Sequence, residues 1–138
     1  MIAEAIRDFL LTQTAITAAL ATYDFGPEGP AIFTIDPIPE DASLPAIVIV
    51  EIGGDRWGTR ERKGAVQNVD VTLWGDKDTS KTDLRGLAWN LFVALERASL
   101  NPSGAYAIFA TAQPPAALND PDGFPGFNVS VSVHVLMK

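Results

Sequence analysis

The sequence predicts an α+β fold, a mainly antiparallel β-sheet with helices packed on one face, and three observations carry that prediction. Residues Phe127 to Met137 alternate without error, Phe127, Val129, Val131, Val133, Val135 and Met137 against Asn128, Ser130, Ser132, His134 and Leu136, the period of a strand with one apolar face. Ala46 to Ile52 is rich in β-branched residues and nearly continuously apolar, as expected of a central strand covered on both faces. A single long amphipathic pattern interrupts strands joined partly by hairpins, which favours an antiparallel sheet over a doubly wound parallel one.

The elements follow in chain order. Ile2, Ile6, Phe9 and Leu10 keep a helical period that Ile16 and Leu20 resume after Thr12-Gln13-Thr14, predicting a helix and then a second short turn capped by Thr14. Ala31 to Ile35 reads as a short strand, and the three prolines of the stretch from Asp36 to Pro45, Pro37, Pro39 and Pro45, enforce an ordered loop. After the strand from Ala46, Val69, Val71 and Leu73 alternate with Asp70, Thr72 and Trp74, giving the second arm of a long hairpin. Asp78, Thr79 or Ser80 can cap the helix Leu84 to Ala98, which Asn101-Pro102-Ser103-Gly104 ends. Tyr106 to Ala112 is a strand, Pro114 to Gly126 a proline-rich acidic loop, and the alternating strand closes the chain. At 138 residues the whole reads as one domain.

Composition narrows the function. With 47% hydrophobic and 20% charged residues the chain is an ordinary globular protein. No apolar run reaches the roughly 18 residues that span a bilayer, so no membrane role is expected. The absence of cysteine closes disulfide, thiol and thiolate-metal chemistry. A formal charge of -7 argues against electrostatically driven nucleic-acid binding. Between Arg7 and Arg56 there is no basic residue, whereas Arg56, Arg60, Arg62 and Lys63 crowd one segment.

Catalytic chemistry finds little material. His134, the one histidine, stands two residues from Ser132, but neighbours on a strand surface imply no orienting group and no oxyanion donor; a solvated or interface histidine accounts for it better. Asp76/Asp78 and Asp120/Asp122 are ordinary turn aspartates rather than cation ligands. Gly53 and Gly58 have phosphate-loop spacing, yet Thr59-Arg60 stands where Lys-Ser/Thr is required, which excludes a nucleotide site. No catalytic residue, cofactor or metal ligand is assigned.

Three features point to protein contacts instead. Trp89 and Val93 project from the side of the long helix opposite its apolar stripe, and a helix apolar on two sides is used in an interface or buried. The segment Gly53 to Gly64 combines four glycines with Trp57 and the basic cluster, predicting a mobile arm that orders on a partner. The face Asn128, Ser130, Ser132 and His134 is small, uncharged and turned from the core, suited to a close subunit contact or the wall of a passage, with a solvated outer surface as the alternative.

The order of elements, with Leu44-Pro45-Ala46-Ile47-Val48-Ile49-Val50 opening a strand, then Val69-Asp70-Val71-Thr72-Leu73-Trp74-Gly75, then the helix Leu84 to Ala98, resembles the tail-terminator, or tail-completion, proteins of long-tailed bacteriophages and phage-derived particles. The resemblance covers nearly the whole chain. It implies a homo-oligomeric ring, commonly a hexamer, at the head-proximal end of the virion tail, assembled in the bacterial cytoplasm. Its partners would be the tail tube protein, whose polymerisation the ring stops, and a head-tail connector or stopper protein, to which it offers a docking surface. DNA would pass through without specific binding, which an acidic surface favours by repelling phosphates. Two alternatives share these residues: another neck component, such as a connector or stopper, and more distantly a small α/β enzyme or ligand-binding domain.

Overall fold

In the computed structural model, which describes the backbone of residues 2–34, 38–58 and 63–137 and the side chains there outside positions 56–58 and 108, the chain opens with helices α1 (Ile2–Leu11) and α2 (Thr14–Thr17). A small hairpin of β1 (Thr22–Asp24) and β2 (Glu28–Pro30) follows, and then β3 (Ile32–Phe33). Strands β4 (Ala46–Gly58) and β5 (Lys63–Trp74) form a long hairpin, and helix α3 (Lys81–Leu95) leads to β6 (Ala105–Ala112), β7 (Ala116–Leu118) and β8 (Gly126–Met137). The main sheet has the order β3-β4-β5-β8-β6, with β7 also paired to β8. Among the described residues only the β3–β4 pair is parallel. The class is α+β, as the periodicities predict.

Alternation decides which face is covered by what. Ile47 and Ile49 of β4, Val69, Val71 and Leu73 of β5, and Val129 to Val135 of β8 join Ile2, Ile6 and Leu10 of α1 and Leu84, Leu87, Leu91 and Leu95 of α3 in one buried core. Each fully buried aliphatic side chain contributes about 1.5–3 kcal/mol of transfer free energy, so this helix-facing core dominates the stability. The opposite face is covered at one end only. There Ala31, Phe33, Ala46 and Val48 are buried beneath Tyr23, Ile38, Ala42, Leu44 and Trp74. Tyr23, Phe25 and Phe33 meet edge-on or tilted with ring centroids 5.0–5.4 Å apart, and the Tyr23 hydroxyl donates to Asp41 at 3.1 Å.

Several local expectations are corrected. β4 is covered on both faces, but it lies next to the sheet edge and β5 takes the centre; the second cover comes from a loop and the β1–β2 hairpin. β4 and β5 run on through the glycine-rich segment as paired strands to Gly58 and Lys63. The reason is tertiary: β8 accompanies β5 as far as the pair Gly64–Leu136, so the far half of β5 gains hydrogen-bond partners on both sides. Thr14 is not a cap, since Gln13 holds that position and no side-chain cap bond forms. Ser80 occupies the α3 N-cap, also without a side-chain bond, while Thr79 Oγ1 accepts from the Asp76 amide at 3.0 Å.

Helix α3 ends at Leu95, earlier than Ala98, because Glu96 and Arg97 turn to the edge of β6. Arg97 adopts φ 59°, an uncommon conformation for a bulky residue, and its amide donates to the Ala110 carbonyl at 2.8 Å. The Glu96 carboxylate accepts from the Ala112 amide at 3.0 Å. At the other side of the molecule Glu51 Oε1 accepts from the amides of Ile2 at 2.7 Å and Ala3 at 3.0 Å. A strand residue thus satisfies two of the donors that a helix N-terminus leaves open.

Candidate functional site

The residues singled out by sequence fall on three separate surfaces. On α3 the stripe Leu84, Leu87, Ala88, Leu91 and Leu95 is buried, and the 100° step per residue turns Trp89 and Val93 outward. Trp89 is 46% and Val93 68% exposed. The Trp89 ring rests edge-on against Phe92, centroids 5.5 Å apart, which leaves its outer face open.

The second surface is the far end of the β4–β5 hairpin. The ladder shifts register between Glu51 and Gly53, where Gly53 takes φ 114°, a conformation that favours glycine. Around this bulge residues 51–55 are exposed, and among the described residues only β5 pairs with that half of β4. Arg56 pairs with Ala65 and Trp57 with Gly64 through the backbone, and Lys63 starts β5 opposite Gly58, exposed. Arg60 and Arg62 lie outside the described residues. A phosphate-binding loop does not form at Gly53, which sits within a strand.

The third surface is the polar face of β8, where Asn128, Ser130, Ser132 and His134 are half-buried. Register sets them opposite Thr72, Asp70, Asn68 and Val66 of β5. Thr72 Oγ1 donates to Asn128 Oδ1 at 3.1 Å, Asn128 Nδ2 and Ser130 Oγ donate to Asp70 Oδ1 at 3.3 and 3.1 Å, and Ser132 Oγ donates to Asn68 Oδ1 at 2.8 Å. Cross-strand pairing of two polar stripes builds a ladder whose groups satisfy one another. Ser132 is therefore engaged with Asn68, and the His134 ring stacks on Phe109 with centroids 4.0 Å apart; no Ser-His pair forms. Tyr106, at 55%, and Phe109, at 41% exposure, flank the ladder on β6. Sequence reading passed over both aromatics, because the bulge between Ala107 and Phe109 breaks the period that would have placed them on this face.

A fourth feature was also missed. Ile38, Leu44, Trp74 and Phe124 line an open cleft of about 680 Å³ together with Glu40, Asp120 and Asp122. Its two loops were legible separately, but their meeting over Trp74 is a long-range event. Asp120 is a turn residue, its Oδ2 accepting from the Phe124 amide at 3.0 Å and its carbonyl from Gly123 at 3.0 Å. Lys77 places its ammonium 5.0 Å from the centre of the Phe124 ring. Among the described residues no three His, Cys, Asp or Glu side chains are grouped to hold a metal ion, and no helix is long and apolar enough to cross a membrane.

An α+β body whose distinctive features are outward aromatics, a long hairpin and a self-satisfied polar sheet face belongs to the class of structural subunits that work through their surfaces. Residues 4–137 match the family of tail completion protein gp17, and the chain belongs to that family of structural phage tail proteins. Its fold is similar to that of a chain in the solved structure described as "Virion of native gene transfer agent (GTA) particle". That match has a TM-score of 0.70 at 14% sequence identity and covers 97% of this chain and 93% of the other. No curated protein matches the sequence.

Proposed function

We propose that the chain is a tail terminator of the virion. Copies of it close into a ring, in the hexameric form the sequence resemblance implies, on the head-proximal end of the tail tube. The ring stops addition of tube protein and presents a surface to a connector or stopper protein. The observation that carries this reading is the family match from residue 4 to residue 137; the likeness of the fold to a chain of a phage-like particle supports it. The molecule's surfaces suit the role. An exposed Trp89 beside Val93 on a helix already supplied with a core stripe is an apolar patch that a neighbour would cover. A net charge of -7 disfavours retention of passing DNA.

The test is assembly of tails without this chain. Electron microscopy should show tubes of uncontrolled length that join no heads, and adding the purified protein should restore both length and joining. Tubes that stop at the normal length in its absence would refute the terminating role. Within the ring, Trp89→Ser/Val93→Ser should abolish assembly in light scattering while circular dichroism remains native. A variant that still assembles would remove this helix face from the contact.

A further inference from the structure

Helix α3 and the cleft lie on opposite faces of the same sheet. The inward stripe of α3, Leu84 to Leu95, packs in the core that holds Val71 and Leu73 of β5. Trp74, the next residue on that strand, turns to the other face and lines the cleft, as strand alternation requires. The sheet thus stands between the outer side of α3 and the cleft, and a subunit cannot join its own two surfaces. Their chemistry is complementary. On α3, Lys81, Arg85, Trp89 and Val93 follow at four-residue steps and all are exposed, so two cations lead to an open aromatic ring along one slowly winding stripe, with Asp83 turned about 120° from Trp89 around the axis. Arg7, which also stands beside an exposed aromatic, is committed within the subunit to the Phe25 ring and the Ile32 carbonyl. The cleft, of about 680 Å³, brings Glu40, Asp120 and Asp122 together with Trp74 and Phe124. Lys77, its ammonium 5.0 Å from the centre of the Phe124 ring, shows that this ring accepts a cation, and three carboxylates against one ammonium leave the cleft negative.

We propose that the outer side of α3 on one copy docks in the cleft of the next, Trp89 against its aromatic lining and Lys81 and Arg85 among its carboxylates. The contact is heterologous, and because its two halves occupy opposite faces of the subunit, every copy engages two neighbours at once; repeating it by rotation generates a closed ring. A tryptophan and an arginine are the side chains that the buried centre of such a contact favours, while opposite charge steers and registers the encounter. Gly86, three residues before Trp89, has open space where a side chain would stand, which lets the neighbour approach the helix closely there. This contact deepens the ring reading and rests on it: it names the surface that covers Trp89.

Charge reversal separates the contact from the ring. Lys81→Glu/Arg85→Glu reverses the helix at exposed positions, and glutamate suits the first turns of a helix. Glu40→Lys/Asp122→Lys reverses the cleft, also at exposed positions, while Asp120 keeps its turn. Each variant alone should fold by circular dichroism yet need at least about tenfold more protein to assemble in analytical ultracentrifugation. An equimolar mixture should recover the wild-type mass, because each helix then meets a cleft of opposite sign, and native mass spectrometry should find the two variants in equal numbers. Two variants that each assemble as the wild type does overturn the contact and leave the ring standing. Folded variants that fail alone and also fail when mixed show that helix and cleft face other partners, which equally overturns it. A wild-type protein that stays monomeric both free and on tail tubes defeats the ring reading, and the contact with it.

Discussion

Replacing Glu51 with alanine tests one of the contacts that tie the first helix to the sheet. One carboxylate oxygen accepts from the amides of Ile2 and Ala3 at 2.7 and 3.0 Å, so the change deprives α1 of the acceptor of two N-terminal hydrogen bonds and of a negative charge at the positive end of its dipole. Losing an N-cap acceptor costs about 0.5–2 kcal/mol, and the charge at a surface helix terminus about 0.3–1 kcal/mol. The residue is exposed, which keeps the sum near the lower half of those ranges, about 1–1.5 kcal/mol. With an unfolding entropy of about 2.1 cal/mol/K per residue over 138 residues, or about 0.29 kcal/mol/K, the midpoint should fall by about 3–5 °C. Calorimetry measures this directly. Glu51→Gln retains an acceptor and loses the charge, so its midpoint should lie between wild type and Glu51→Ala. A Glu51→Ala protein melting within about 1 °C of wild type would show that the Glu51 bonds add nothing to the packing of α1 and to the bond from Arg7 Nε to the Ile32 carbonyl.

Other perturbations read the remaining surfaces. A side chain at Gly54 would fall on the Val66 carbonyl oxygen, so Gly54→Ala should cost about 1–3 kcal/mol and speed hydrogen exchange in β4 beyond Glu51; unchanged exchange would contradict the close approach. The Tyr23 phenol is raised above its ordinary value of 10.0, first by its hydrogen bond to Asp41 and then by burial and the nearby carboxylates. The sign follows from the raised value: its stabilising contribution is whole below about pH 10 and fades as pH rises through the folded value. In a Tyr106→Phe background, phenolate absorbance should titrate later in the parent than in Asp41→Ala, and coincident curves would refute the bond. Ser132→Lys puts a charge beside Asn68, whereas lysine at Ser130 would meet Asp70 and blur the test. Ser132→Lys should lose one hydrogen bond of about 0.5–1.5 kcal/mol, keep the fold and fail to assemble. Normal assembly would show that this face is merely solvated.

Strands and helices held by their own periodicity were legible from sequence. β8 reads off its alternation and α3 off its apolar stripe, because each buries a face against the core along its whole length. What escaped depends on partners far away in sequence. The β1–β2 hairpin has no apolar alternation of its own, and Tyr23 and Phe25 gain their places only by meeting Phe33. The glycines at 53, 54 and 58 argue for a loop locally, and the ladder through β5 to β8 overrides them. The cap of α1 comes from a residue 49 positions away, beyond any local cap pattern. Of the candidate contact surfaces, Trp89 and Val93 could be placed from helical geometry. The cleft could not, since the loops that face each other over Trp74 share no local pattern.

The turn after α3 has a consequence for how the protein survives before it is used. β6 borders the sheet, and a bare border strand is a template on which other chains can add and aggregate. Here Arg97 takes up the Ala110 carbonyl and Glu96 the Ala112 amide, while β3 protects Ile47 and Val48 on the opposite border. The unguarded length of β4 is bent by its bulge, which twists a border away from flat pairing. One end of β6 is thereby occupied at one border, and flat pairing is discouraged at the other. Both devices work against edge-to-edge pairing, a hazard that a protein proposed to end a polymer would otherwise carry within itself.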